Sequence, residues 1–552
     1  GSCLRTIGAR RHRIFFKLTD QLKRGNMLNK LLLSGIASAA LLAFLPTASH
    51  AVAPKIAVGG DYMMLMKADG TLWSWGWNAH AGELGIGNQI TQNVPVQIPG
   101  FTGVVDISVP AQGSSFSMAL KADGTVWVWG NLSDGRAGYP TSGGEYKYSP
   151  MQIPQLHNIV SIGNSGDAMF AVDTEGAVWS WGAPGYAELG DGPTATTQKS
   201  TPAKIAGLTG VSRISRGSDS VVALKANGDS VGWGYNSRSG VVIGSTTSSN
   251  IAPTTLPVPQ LKYLEGITIN TSGAFMGIDM NGDVLSWGDT SASLSACDQN
   301  LPSAATQPYR PTGLTTASTK MKQIAGGSGF VLFLNDIGVV KACGGNSYGQ
   351  LGDGTTGGTD RSLKPGPLVV GGLPADVSYI AAGGYASAAI GATGGVYTWG
   401  RGDAGYSGIA NSAAKNLTPV KVGVDAGVPT ATFAGTQTGN ISEAVVDIGM
   451  AVAPQHVGQT GEIYLAAMLP TGQIFMFNRQ GSFVPIDTAA IAPMYQGALP
   501  KSLPIPLVSQ PTDLRNLAGL TLILGYGLGT GAAANNDLLT GANRLGVAVQ
   551  LK

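Results

Sequence analysis

Short apolar runs, each closed by a two-residue turn and followed by a strand of alternating aromatic and small side chains, recur through much of this chain. The first copy reads Met66-Lys67-Ala68-Asp69-Gly70-Thr71-Leu72-Trp73-Ser74-Trp75-Gly76. Asp-Gly between two such runs is the strongest short-range signal for a tight hairpin. Asp123-Gly124, Glu175-Gly176, Asn227-Gly228 and Asn281-Gly282 place a residue tolerant of positive φ before a glycine at the same point of the next four copies. The copies end at Trp75-Gly76, Trp129-Gly130, Trp181-Gly182, Trp233-Gly234, Trp287-Gly288, Cys343-Gly344 and Trp399-Gly400, with glycines spaced by 54, 52, 52, 54, 56 and 56 residues. Upstream of the hairpins lie small-residue stretches such as Ile56-Ala57-Val58-Gly59-Gly60 and Ile380-Ala381-Ala382-Gly383-Gly384. They suit strands near a crowded axis, where glycine lets backbones approach. Three or four short strands in each of seven such units predict an all-β fold, a seven-bladed β-propeller.

Composition agrees with sheets covered on both faces and joined by tight turns, since 12% of residues are charged and 81 of 552 are glycine. The glycines recur in register, which excludes low complexity.

The segment Gly344-Gly345-Asn346-Ser347-Tyr348-Gly349-Gln350-Leu351-Gly352-Asp353-Gly354 resembles the signature of the regulator-of-chromosome-condensation repeat, and Trp75 through Gly87 and Trp181 through Gly192 are similar to it. The other copies keep the hairpin and the aromatic-glycine step but lose much of the Gly-Gln-Leu-Gly part. The resemblance covers about Lys55 to Val422 and implies a seven-bladed propeller over residues 52–422. It also implies a possible activity, nucleotide exchange on a small nuclear GTPase. A secreted β-lactamase inhibitor shares the family's fold, so the resemblance equally implies pure binders.

The N-terminus bears on that choice. Met27 to Lys30, the apolar run Leu31 to Leu45 and Ser49-His50-Ala51 have the charged start, short hydrophobic core and small-residue cleavage site of a secretory leader. Residues 27–51 are read as a signal peptide cleaved after Ala51, and residues 1–26 as a non-native or mis-assigned extension; a twin-arginine reading of Arg10-Arg11 fits the spacing poorly. Loss of residues 1–51 takes away eight of the 34 basic residues and one of the 32 acidic ones, leaving 26 and 31, a net charge of −5. A mildly acidic exported propeller has no electrostatic footprint for nucleic acid, and no further apolar stretch is long enough for a membrane span. The expected location is periplasm, cell surface or medium, and the expected state is a monomer.

Chemistry is sparse. Neither cysteines nor histidines have metal-ligand spacing, so no metal or cofactor is expected. Cys297 and Cys343 are open to two readings, a disulfide between adjacent blades or, at Cys343, a small apolar substitute for the repeat's tryptophan. Gly228-Asp229-Ser230-Val231-Gly232 matches a hydrolase elbow but lies inside a hairpin, not between strand and helix. Arg401-Gly402-Asp403 occupies the seventh repeat's own turn. Gly525 to Gly531 reads as a loop after the strand Leu520 to Leu524. Glu83, Glu188, Asp191 and Asp353 are the acids available to a polysaccharide-acting enzyme, which needs two carboxyls within about 5 to 9.5 Å. The reading preferred over an enzyme is a binding surface for an extracellular protein or glycan, built from Trp77, His80, Tyr186, Tyr235, Tyr348, Arg401 and Tyr406, because aromatic and arginine side chains dominate binding hot spots.

Beyond Val422 the pattern changes. Residues 423–440 read as a linker or closing strand, and residues 441–552 as a small β-sandwich, from short β-runs such as Ala444 to Ile448, Glu462 to Ala467, Gln473 to Phe477 and Leu545 to Val549. Asp513 through Gly519, Leu522 to Gly527 and Asn543-Arg544 are similar to a C-terminal module of secreted and surface bacterial proteins.

Overall fold

The computed structural model describes residues 52–111, 115–140, 145–236 (with short omissions), 249–288, 297–298, 305–357 (likewise), 364–427, and chiefly the strands between 432 and 550. Both the leader and the extension before it lie outside the described residues. The chain divides into two compact units, one spanning Pro54–Val428 and one containing Pro429–Lys552.

The first unit is built from one motif. Strands β1 (Lys55–Val58), β2 (Tyr62–Met66), β3 (Leu72–Gly76) and β4 (Gln92–Gln97) form an antiparallel meander in chain order. Six more four-stranded meanders follow, so the described residues form seven blades as the periodicity predicts. Every residue of β2 is buried, as is every residue of Ala168–Asp173 and Phe330–Asn335, because a second strand is covered on both faces. That is why these runs are continuously apolar and do not alternate.

Blades are joined through their turns. The carbonyl of each hairpin glycine accepts the amide that opens the next blade, Val104 to Gly70 at 3.0 Å, Val211 to Gly176 at 3.0 Å and Val377 to Gly338 at 3.2 Å. Gly76 has φ 106°, and a Cβ there would lie 2.7 Å from the Asp61 carbonyl oxygen, so only glycine can end that strand.

Each blade comes from one continuous segment, and the ring closes by packing. Ile56, Val58, Met63, Leu65 and Trp75 of blade 1 share a core with Ala388, Ile390, Val396 and Val422 of blade 7. A Cβ on Gly383 would sit 1.9 Å from the Val58 carbonyl oxygen, the backbone approach for which the small-residue inner strands are suited. Ala426 completes the joint, donating to Gly394 at 2.7 Å and accepting from Ala68 at 2.8 Å.

This corrects the expected linker. Lys415–Asp425 is the outer strand of blade 7, with Val422, Val424 and Ala426 buried, and Thr432–Thr438 is already the first strand of the C-terminal unit. The alternation of Val422-Gly423-Val424 places the two valines on one face, a period-two signal that the small residues around it obscure.

The C-terminal unit has a three-stranded sheet (Thr432–Thr438, Ala444–Ala451, Ser502–Thr512) and a six-stranded sheet centred on Thr460–Met468 and Thr521–Leu528. Val446, Ile448, Leu503 and Ile505 of the first share one core with Ile463, Leu465, Leu522 and Leu524 of the second. Gly525 to Leu528 correct another expectation. They continue the strand, pairing with Gly461 to Tyr464, and Tyr526 is fully buried, because glycines alternate with large apolar residues there. Gly529 to Gly531 lie outside the described residues.

Candidate partner-binding face

Where they are described, the loops after the aromatic-glycine steps lie at the junction with the next blade and share a few ties. An asparagine ties the loop together: Asn78 Oδ1 accepts from Leu84 at 2.9 Å, and Asn346 Oδ1 from Leu351 at 3.1 Å. A Glu or Gln folds back on its own turn, with Tyr348 N donating to Gln350 Oε1 at 2.8 Å and Tyr186 N to Glu188 Oε2 at 2.5 Å. The backbone carbonyl at that position, which is Arg136 in blade 2 and Tyr406 in blade 7, then accepts the indole N–H of the next blade. Trp129 reaches Glu83 at 2.8 Å, Trp181 reaches Arg136 at 3.2 Å, Trp233 reaches Glu188 at 2.5 Å, Trp399 reaches Gln350 at 2.9 Å and Trp75 reaches Tyr406 at 3.2 Å. Trp287 Nε1 has no partner among the described residues.

Blade 6 carries Cys343 where the others carry tryptophan, and the structure bonds it to Cys297 of the blade 5 loop, with the Cα atoms 5.2 Å apart. Both residues are buried. A covalent latch thus stands at this junction where, among the described residues, an indole hydrogen bond stands at five of the others.

The candidate binding residues fall into distinct groups. Tyr186 is 45% exposed and its ring lies 5.0 Å from that of Tyr235 on the next blade. Tyr348 stacks at 5.0 Å on Tyr385 of the next blade, with Lys415 Nζ 5.2 Å above its ring. Trp77 meets the exposed His80 edge-on at 5.6 Å. These three aromatic pairs are the accessible part of the face. Arg401 is committed elsewhere, held by Asp61 at 2.5 Å and Asp403 at 2.6 Å, so the Arg401-Gly402-Asp403 triplet folds onto itself across the junction of blades 7 and 1.

Tyr406 is a correction. It is 1% exposed, its hydroxyl donates to the carbonyl oxygens of Gly59 and Gly383, and it belongs to the core that closes the ring. It stands at the inward position that Glu83, Arg136, Glu188 and Gln350 hold in other loops. Tyr385 was missed by sequence reasoning. It occupies the turn before a second strand, where blades 1, 3 and 4 have Asp61, Asp167 and Asp219, and no aromatic pattern there marks it.

The acids considered for catalysis are each bonded within their own loop. Asp191 pairs with Lys199 at 2.6 Å and Asp353 Oδ1 accepts from Thr355 N at 3.1 Å. Burial raises the Glu83 carboxyl above its usual value. Glu188 is raised to about 7, by burial first and by the charge of Asp219. Ser230 is buried within its strand.

Known proteins share this repeat. Over 208 residues the chain is 32% identical to the human E3 ubiquitin-protein ligase HERC2, covering 37% of this chain and 4% of that protein. It is 28% identical over 328 residues to the Ultraviolet-B receptor UVR8 of Arabidopsis thaliana, covering 57% of this chain and 70% of the receptor. Among solved structures, Prp20p from Saccharomyces cerevisiae superposes with a TM-score of 0.55 at 18% identity, covering 74% of this chain and 93% of that one. The model of the RCC1-like domain matches residues 82–444, more than half of the 552 residues, from the loop of blade 1 through blade 7, and the chain belongs to that family.

Proposed function

We propose that this protein is a secreted or cell-surface, non-enzymatic binding protein whose loop face docks an extracellular protein. The observation that carries the reading is the pairing across blade junctions of an exposed ring with a half-buried one, Tyr186 with Tyr235 and Tyr385 with Tyr348, beside loops pinned by the indole latches. Rings already stacked and held on a rigid scaffold lose little entropy on binding. The disulfide between Cys297 and Cys343 favours an oxidising compartment, in line with the leader at 27–51. No described helix is long and apolar enough to cross a membrane.

A photo-crosslinking residue at Tyr186 or Tyr348 is expected to capture one exported protein, and the Y186A/Y235A variant to lose it while keeping its fold. Crosslinks arising equally from outer strands such as β4 would overturn the reading. A second reading follows from the family: the yeast structure of Prp20p was solved together with its binding to Gsp1p and histones, which favours an intracellular regulator. N-terminal sequencing of protein fractionated from the native host separates the two. Export predicts a mature N-terminus at Val52; uncleaved protein in the cytosol favours the regulator.

A further inference from the structure

The axis of the propeller carries a polar belt. Lys55, Asp106, Ser161, Arg213, Tyr263, Gln323 and Tyr379 hold one register in their seven blades, each opposite a second-strand residue in the series Met66, Leu120, Val172, Leu224, Ile278, Leu334 and Ile390. In every blade but the first, a register shift lies immediately before the belt residue. Such bulges re-aim a side chain. Belt residues enclose a cavity of about 150 Å³ on the axis, lined by Lys55, Arg213, Tyr263, Glu265, Gln323 and Tyr379 among others.

Several of these groups stitch one blade to the next. Lys55 Nζ reaches Asp106 at 2.5 Å and the Ile107 carbonyl at 2.9 Å, Tyr263 donates to Ile324 at 2.9 Å, and Gln323 is used at both ends by Ile380 at 2.7 and 3.0 Å. Arg213 is different. One terminal nitrogen bonds Glu265 at 3.0 Å and Tyr263 at 3.1 Å, while its Nε is buried with no partner among the described residues.

We propose that this axial cavity binds a small neutral polyol, between glycerol and a pentose in size. Charge selects the class. Arg213 is balanced by Glu265 and Lys55 by Asp106, so neither a carboxylate nor an ammonium finds an unopposed counter-charge. A hydroxyl is both donor and acceptor, so adjacent hydroxyls can accept from Arg213 Nε and donate to the Glu265 carboxylate. The Tyr379 phenol, held above its usual value by burial, is protonated and able to donate, while the Tyr263 oxygen, whose own O–H goes to the Ile324 carbonyl, can accept. A volume of about 150 Å³ leaves room for a polyol of this size.

Calorimetry and saturation-transfer NMR on the full chain, with glycerol and xylose as probes and acetate and inorganic phosphate as controls, test the assignment. One saturable polyol site is expected, weakened by roughly three- to tenfold in Y379F and in R213K, the loss of one hydrogen bond. Y379F removes a single oxygen and keeps the ring, so its unfolding midpoint serves as the folding control. Signals that stay linear in polyol concentration, saturable binding unchanged in both variants, or saturation by acetate or phosphate in place of polyol would each overturn the proposal.

Discussion

Reduction of the bond between Cys297 and Cys343 tests whether the latches hold the ring together. The bond closes a loop with a sequence separation of 46 residues, so its loss restores about 4 kcal/mol of chain entropy to the unfolded state. An indole latch is one hydrogen bond. Trp129→Phe removes the N–H that reaches the Glu83 carbonyl at 2.8 Å together with part of a fully buried ring, so the latch itself accounts for about 1 to 3 kcal/mol and the cavity adds to the measured loss. Reduction should therefore destabilise the propeller more than loss of any single latch, and C297S/C343S should match the reduced protein. Urea unfolding and refolding followed by tryptophan fluorescence, with and without a dithiol, measures this where the two arms coincide. A shift under about 1 kcal/mol would refute the view that the cystine replaces a latch.

Three further outcomes are expected. Trp129→Ala or Trp181→Ala opens a cavity between blades and should cost about 3 to 5 kcal/mol in chemical denaturation; a variant with unchanged stability but lost binding would mean that these side chains face a ligand. Glu188 is raised to about 7 by burial, so it binds a proton in the folded state that the unfolded chain has released. That stabilisation is complete below the unfolded value of about 4.3 and is lost as pH rises through 7, on the order of 2 to 3 kcal/mol. Glu188→Gln keeps the turn bond that Gln350 makes in blade 6 and should flatten the slope and stabilise the protein above pH 7; a slope that persists would assign it to other groups. Limited proteolysis should cut first between Ala426 and Thr432, where the two units meet in sequence, and a first cut inside Lys415–Asp425 would contradict the strand found there.

The propeller was legible because its signals are local. A turn glycine, a run buried on both faces and an aromatic-glycine step each mark a backbone requirement, and seven repetitions make chance agreement negligible. The blade 7 edge was harder, since Gly423 and Ala426 carry little hydrophobic contrast although the strand runs through to Asp425. In the C-terminal unit, glycine content makes Gly525-Tyr526-Gly527 read as a loop, whereas the alternation of glycine with Tyr526 and Leu528 is itself a strand signal.

Whether a loop aromatic faces out or in depends on its offset from the aromatic-glycine step, and that offset is readable in the sequence. Tyr186 and Tyr348 each stand four residues after their glycines, Gly182 and Gly344, and both reach a ring on the next blade. Glu188 and Gln350 stand six residues after the same glycines, and both are buried with their carbonyls facing the next indole. Tyr406 stands six residues after Gly400, so the repeat itself assigns it inward. Residue type alone suggested a binding aromatic; residue type at that offset specifies a ring closure, with the phenol body filling the joint and its hydroxyl answering the carbonyls of Gly59 and Gly383. Trp77, Tyr235 and Arg401 share a third offset, the residue directly after the glycine, where the backbone amide is tied to the facing turn at Asp61, Asp219 and Tyr385. Side chains there leave the sheet at the blade junction, and what they do is decided by the neighbour they meet. Tyr235 meets Tyr186 and stays on the binding face, whereas Arg401 meets Asp61 and becomes part of the seam.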